Sequence, residues 1–261
     1  MTDAPRESLV LVHGLGSSAS FWENLLPDLA PRYRVVTPDL PGHGPGAARP
    51  TMARAHPREL AADLMERLRA DGVDSPHLVG LSLGGWVVLE MAALGFGRSV
   101  VALAPAGLWV AGQKIAAERW TSFIRPGLPP LAPALPALIR VPLVKRAVLR
   151  SLVREPGRVS DGQLLAAAIA LGQAKGYRAC DRAAVRNRFT GGAKLEVPTA
   201  VAFGDDDRIL PPGTSQNRDL LSPSTEFTIV AGCGHAMSWD RPDACLGLIE
   251  RTAARVPRSA P

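Results

Sequence analysis

His77-Leu78-Val79-Gly80-Leu81-Ser82-Leu83-Gly84 begins as a short apolar run and ends in a G-x-S-x-G pentapeptide. The run His77–Val79 predicts a buried strand, and Leu83 to Leu94, apolar almost all round, predicts a buried helix. A serine between them sits on a sharp strand-to-helix turn. Such a turn strains the backbone of its central residue and crowds its neighbours, so Gly80 and Gly84 must lack side chains. It aims the Ser82 hydroxyl out of the sheet and leaves the N–H of Leu83 at a helix N-terminus, where developing negative charge is favoured. A glycine-rich turn with an incidental serine is the bland alternative. The strand, the helix and the residues described next weigh against it.

Outward from this turn, apolar runs recur at Leu9–Val12, Arg34–Thr37, Val100–Ala104, Thr199–Phe203 and Phe227–Val230. Between them Pro57–Ala70 places Leu60, Leu64 and Leu68 on one helical face. Alternation of this kind predicts an α/β fold: a doubly wound, mostly parallel sheet with right-handed crossovers. The pattern stops after Ala104. Proline-punctuated helical stretches follow, the better ones at Leu164–Gln173 and Tyr177–Phe189, and strands resume at Val197. The expected organisation is a core of residues 1–104 and 197–261 carrying a helical cap, 105–196, with a frayed tail from Arg255 to Pro261.

A serine nucleophile needs a base, and the base a carboxylate to orient it. Of five histidines, His77 opens an interior strand, His56 sits at a helix start, and His43 and His13 read as loop-bracing residues. His235 follows the last strand on the glycine-rich loop Ala231–Gly234, at the strand end where such sheets build sites. It is the expected base. The acid comes from Asp205-Asp206-Asp207, directly after Thr199–Phe203, where burying three charged neighbours together would be costly. One can face the histidine while the others stay solvated; the resemblance given below makes Asp207 the first choice and Asp205 the second. After the first strand, His13-Gly14-Leu15-Gly16 offers the N–H of Leu15 as a second oxyanion donor beside that of Leu83.

With these residues quoted, the chain resembles the α/β-hydrolase fold superfamily along its length. The matching stretches are HGLGSS (His13–Ser18), PDLPGHG (Pro38–Gly44), GLSLGG (Gly80–Gly85), GDDDRILPP (Gly204–Pro212) and GCGHAMSWDRP (Gly232–Pro242). The resemblance implies Asp207 as the acid, since Pro211 follows it, and a cap over 105–196. Nothing ahead of Leu9 reads as the family's usual antiparallel strands, which predicts a sheet shortened at that edge. Dehalogenases and epoxide hydrolases of this fold use an aspartate where Ser82 stands. Carbon–carbon bond hydrolases often carry Asn before the serine and Trp after the histidine, where this chain has Leu81 and Ala236.

The expected activity is therefore serine hydrolysis of a carboxylic ester through Ser82, His235 and Asp207, with no metal or organic cofactor. A thioesterase, a lactonase, a carbon–carbon bond hydrolase, an acyltransferase and a non-hydrolytic ligand-binding use of the scaffold stay open. Phe21, Trp22, Trp109, Met237 and Trp239 are the expected pocket residues, each with ordinary core packing as its alternative.

Composition narrows the partners. The 261 residues are 46% hydrophobic and 21% charged, which excludes wholesale disorder. The net charge of +6 is uneven: Pro105–Glu196 holds 15 basic and five acidic residues, so the rest of the chain is mildly acidic. That basic segment reads as a solvated helical face, as a contact for an anionic substrate through Arg178, Arg182 and Arg186, or as a membrane-surface or acidic-partner contact through Leu131–Val144. Nucleic acid is disfavoured, since the segment has no binding motif and few aromatic residues. Three cysteines without a CxxC pair read as free thiols. With no leader-like apolar stretch at Met1–Ser8 and no run long enough to span a bilayer, a cytoplasmic protein is expected.

Overall fold

Six short apolar runs become six parallel strands. The computed structural model describes residues 6–45, 53–112 and 125–257. The strands are β1 (Ser8–Val12), β2 (Arg34–Val36), β3 (His77–Leu81), β4 (Ser99–Leu103), β5 (Thr199–Gly204) and β6 (Glu226–Val230). They form one sheet in the order β2-β1-β3-β4-β5-β6, every pairing parallel. The four central strands are buried almost throughout, while β2 and β6, at the edges, are half open. This explains why the central runs are apolar on both faces while the edge runs admit Arg34 and Glu226.

The helices of eight residues or more among the described residues are α1 (Pro57–Ala70), α2 (Leu83–Ala93), α3 (Pro142–Leu149), α4 (Asp161–Gln173), α5 (Tyr177–Arg186) and α6 (Pro242–Ala254). The α1 helix starts on Pro57, whose missing N–H costs nothing there, with His56 Nδ1 accepting from the N–H of Arg58. Its face of Leu60, Leu64 and Leu68 is buried as the periodicity predicts. The α2 helix is buried on all sides, which accounts for its uniform apolarity.

The chain runs from β1 out to the edge at β2, then returns to the far side of β1 as β3. Strand order reverses there, so the loops leaving β1 and β3 part in opposite directions and open a crevice at their C-terminal ends. That crevice contains Gly14–Gly16 and Ser82.

Among the described residues no strand lies between β4 and β5. The prolines there begin helices: Leu128–Leu131, Leu135–Leu138 and α3 each have one within their first two positions. Several expected boundaries move by one to three residues, and two of the shifts are instructive. Ala104 leaves β4 with φ +41°. The α5 helix stops at Arg186, short of Phe189, because the Asn187 side chain donates to the carbonyl of Ala183 and the extended backbone carries Phe189 into the core. The stretch 113–124, part of the expected cap, and the end of the tail, 258–261, lie outside the described residues.

Candidate active site

Ser82 occupies a backbone conformation that side chains seldom adopt, φ +55° and ψ −117°. It is held from three directions. Its N–H donates to Leu103 O at 2.9 Å, and its carbonyl accepts from Trp86 N at 3.1 Å and Ala106 N at 3.0 Å. The flanking glycines are required sterically: a Cβ on Gly80 would stand 2.2 Å from Gly84 O, and one on Gly84 would stand 2.3 Å from Val12 O. The helix thus presses directly onto β1 and β3. Leu83 is the first residue of α2, so its N–H has no carbonyl one turn back to bond. Gly14 lies against the serine: a Cβ at this position would stand 3.3 Å from Ser82 Cβ.

The three adjacent aspartates are sorted by environment. Asp207 is buried, and its Oδ2 accepts from His235 Nδ1 at 2.9 Å. Its Oδ1 accepts from the N–H groups of Ile209 (3.0 Å) and Leu210 (2.8 Å). Burial raises the Asp207 pKa, but the charge and hydrogen bond of His235 and the two amides outweigh it, and the carboxyl sits below its ordinary range. Asp206 pairs with Arg208 and Arg154 at the surface. Asp205, the second choice, is exposed and accepts from Cys233 N.

The other histidines brace structure. His77 bonds Ser99 and Glu7. His43 Nδ1 lies 3.2 Å from Pro41 O. His13 is fully buried; its Nδ1 lies 2.8 Å from Gly14 O and its Nε2 accepts from Leu40 N, an arrangement that fixes the neutral tautomer with the proton on Nδ1. Burial, opposed by the bond to Gly14, lowers the His13 pKa to about 4. Burial first, then repulsion from His13, lowers that of His43 to about 3. The unfolded chain therefore binds more protons than the folded one between the ordinary value of 6.5 and those depressed values. Stability is complete above 6.5 and falls as pH drops toward 4. Loss of the Asp207 contribution at still lower pH acts in the same direction. Urea midpoints followed from neutral pH downward should fall, with a loss of about 3 kcal/mol from His13 alone. A flat profile would contradict the burial of both rings.

Ser82, Leu15, Leu83 and His235 line one cavity of about 400 Å³. Phe21, Trp109 and Trp239 line it too; Trp239 stacks on Phe21 at 5.0 Å, and Trp109 Nε1 donates to Asn187 O at 2.7 Å. Trp22 and Met237, also expected there, do not reach it. Both are fully buried in the core, since neighbours on a tight helical turn point in different directions. Most of the remaining wall comes from between β4 and β5, including Leu128, Leu135, Val148, Leu164 and Tyr177. Among the described residues no lysine or arginine lines the cavity, and the one carboxylate that does, Asp181, has its pKa raised by burial. Arg178, Arg182 and Arg186 are exposed on the outer side of α5, which removes the argument that they receive an anionic substrate in the cavity.

One residue here was missed in the sequence: Asp240. It is buried, and its carboxylate accepts from Gly234 N (2.7 Å), Arg154 N (2.8 Å) and Glu155 N (3.0 Å). It thus ties the loop of His235 to the segment after α3. The same segment supplies Leu152 O to Ala236 N at 2.7 Å. A buried acid in Trp239-Asp240-Arg241-Pro242, just before a helix, was the available signal. Asp240→Ala would leave three N–H groups without their acceptor and should lower stability by about 3 kcal/mol in urea unfolding.

A model of the alpha/beta hydrolase family matches residues 9–248. The chain is 30% identical over 197 residues to epoxide hydrolase EphH of Mycobacterium tuberculosis, covering 73% of this chain and 92% of that protein. It is 25% identical over 269 residues to the pimeloyl-[acyl-carrier protein] methyl ester esterase of Photobacterium profundum, covering 93% and 92%. The crystal structure of the enol-lactonase from Burkholderia xenovorans LB400 shares the fold, with a TM-score of 0.76 at 19% identity, over 98% of this chain and 94% of that one. The family match runs from the second residue of β1 into α6, across the whole parallel sheet and its strained serine turn. The chain is an enzyme of the alpha/beta hydrolase family.

Proposed function

We propose that the enzyme is a serine hydrolase of carboxylic esters with an apolar acyl or alcohol part. The observation that carries this reading is the buried 2.9 Å bond between His235 Nδ1 and Asp207 Oδ2, on a histidine that shares a cavity wall with Ser82 at the strained turn. With Nδ1 committed as donor to the carboxylate, Nε2 is the nitrogen that takes the serine proton. Ser82 Oγ attacks the ester carbonyl, and the N–H groups of Leu15 and Leu83 hold the oxyanion. His235 passes its proton to the departing alcohol. It then takes one from water, which attacks the acyl-serine, and returns that proton to Ser82 Oγ as the acid departs.

In this reading residues 105–196 are a cap whose underside forms the apolar part of the pocket, on a core of 1–104 and 197–261. The cavity lies within the size range of small-molecule sites. The esterase relative is named for a methyl ester. The epoxide hydrolase relative suggests a second chemistry, but a serine in place of an aspartate at the turn favours acyl transfer. Thioester and lactone cleavage would use the same groups.

A fluorophosphonate probe followed by peptide mapping tests the proposal. The expected result is a single adduct on Ser82, blocked by prior incubation with an aryl ester of a medium-chain acid. Failure of the folded protein to react at Ser82 would sink it. A panel of aryl esters, a thioester and a lactone then ranks the bonds cleaved.

A further inference from the structure

Part of the cavity wall is also outer surface. Leu131 and Leu138 line the cavity, yet are 49% and 40% exposed. Beside them Val141 is 44% and Leu143 76% exposed. Aliphatic side chains gathered at the mouth of a cavity form a patch that water does not favour, and such patches mark contact sites.

The chemistry of the surrounding chain selects the partner. From Arg125 to Arg154 the sequence has six basic residues and no acidic one. Lys145 and Arg154 are taken up by Asp161 and Asp206. Arg140, Arg146 and Arg150 remain exposed around the aliphatic lip. The same thirty residues contain no aromatic side chain, and Ser151 is their one uncharged polar side chain. A protein-binding surface would be expected to carry aromatic anchors and directional hydrogen-bonding groups. A second copy of this chain would bring like charges face to face. Cationic side chains flanking bare aliphatic ones suit a surface that is anionic outside and hydrocarbon within.

We propose that the lip formed by residues 128–150 docks on the surface of an anionic lipid bilayer, aliphatic side chains in the interface and arginines among the headgroups. The proposed contact is peripheral: no helix among the described residues is long and apolar enough to cross a membrane. It places the cavity mouth at the lipid surface. The corollary, that an apolar ester enters from the lipid side, rests on the ester-hydrolase reading; the docking itself does not.

Vesicle flotation of the full chain tests the docking without reference to turnover. At low ionic strength the protein should float with phosphatidylcholine–phosphatidylglycerol vesicles and stay behind with phosphatidylcholine alone. Raising the salt should weaken binding. Combined Arg140→Glu, Arg146→Glu and Arg150→Glu should weaken it at least about tenfold. Leu143→Asp, at a highly exposed position, should do the same with an unchanged thermal melt. Absence of binding to anionic vesicles would overturn the proposal, as would binding indifferent to salt or to charge reversal. Concentration-dependent dimers that Leu143→Asp abolishes, seen without vesicle binding, would assign the lip to a second copy instead. If the charge-reversed chain does not fold, the salt series on the unaltered protein still decides the matter.

Discussion

Ser82→Ala is expected to lower kcat/KM for an activated aryl ester by about 10⁴- to 10⁶-fold with the fold intact. The substitution removes only the Oγ atom. Alanine keeps the Cβ and accepts the same φ of +55° that serine does, so the strain is unchanged. The backbone bonds to Leu103, Trp86 and Ala106 do not involve the side chain. Melting temperature and circular dichroism should match those of the parent, while fluorophosphonate labelling disappears. Any residual rate would reflect the oxyanion donors and substrate binding, which remain in place. Equal turnover by parent and variant across the ester panel, together with tight ligand binding, would instead favour a non-hydrolytic use of the scaffold.

Asp207→Asn should cost about 10⁴ in kcat. Asparagine is almost the same shape, but it has one acceptor oxygen and one donor nitrogen. The N–H groups of Ile209 and Leu210 both point at Oδ1, so the amide oxygen takes that side and the NH₂ group faces His235. His235 Nδ1 must then accept, which places the ring proton on Nε2. A histidine in that tautomer cannot remove the serine proton. Asp205→Asn is the control. Asp205 is exposed and receives the backbone N–H groups of Gly232 and Cys233, which the amide oxygen of asparagine can also accept, so its variant should keep nearly the full rate. If Asp205→Asn were the more damaging change, the two acids would have to exchange roles. Activity measured across pH on both variants distinguishes loss of orientation from a shifted titration.

Much of this site could be read in the sequence because its parts are local. A strand, a tight turn and a helix are written in consecutive residues. The apolar run ending at Val79, the crowding that demands Gly80 and Gly84, and the apolar helix from Leu83 all appear within about one helix length. Each expected strand was found because residues buried on both faces of a parallel sheet must be apolar in unbroken runs. The pairing of His235 with Asp207 was legible for a related reason: each lies in the loop after a strand, and parallel strands deliver their C-terminal loops to one edge.

Other features depended on segments distant in the chain. Phe21 and Trp22 are adjacent and both aromatic, yet one faces the cavity and the other the core. That choice depends on how the short turn at Ala19–Trp22 rests against Trp239, more than two hundred residues away. Asp240 shows its role only when Arg154 and Glu155 are brought within hydrogen-bonding distance. The basicity of residues 105–196 was countable, but the direction of each arginine was not. The stripe of Arg178, Arg182 and Arg186 satisfies helical periodicity equally well inward or outward, and packing of the opposite face, with Cys180 and Ala184 buried, turned it to solvent.

By itself, then, the sequence determined the order of strands and helices, the serine turn and the loops from which its partners come, because backbone preference and burial act on neighbouring residues. The tertiary structure alone decided which side chains share the cavity, which aspartate meets the histidine at 2.9 Å, and that the leucines over the site are also an outer surface. Those outcomes depend on contacts between remote segments, whose geometry exists only once the chain has packed.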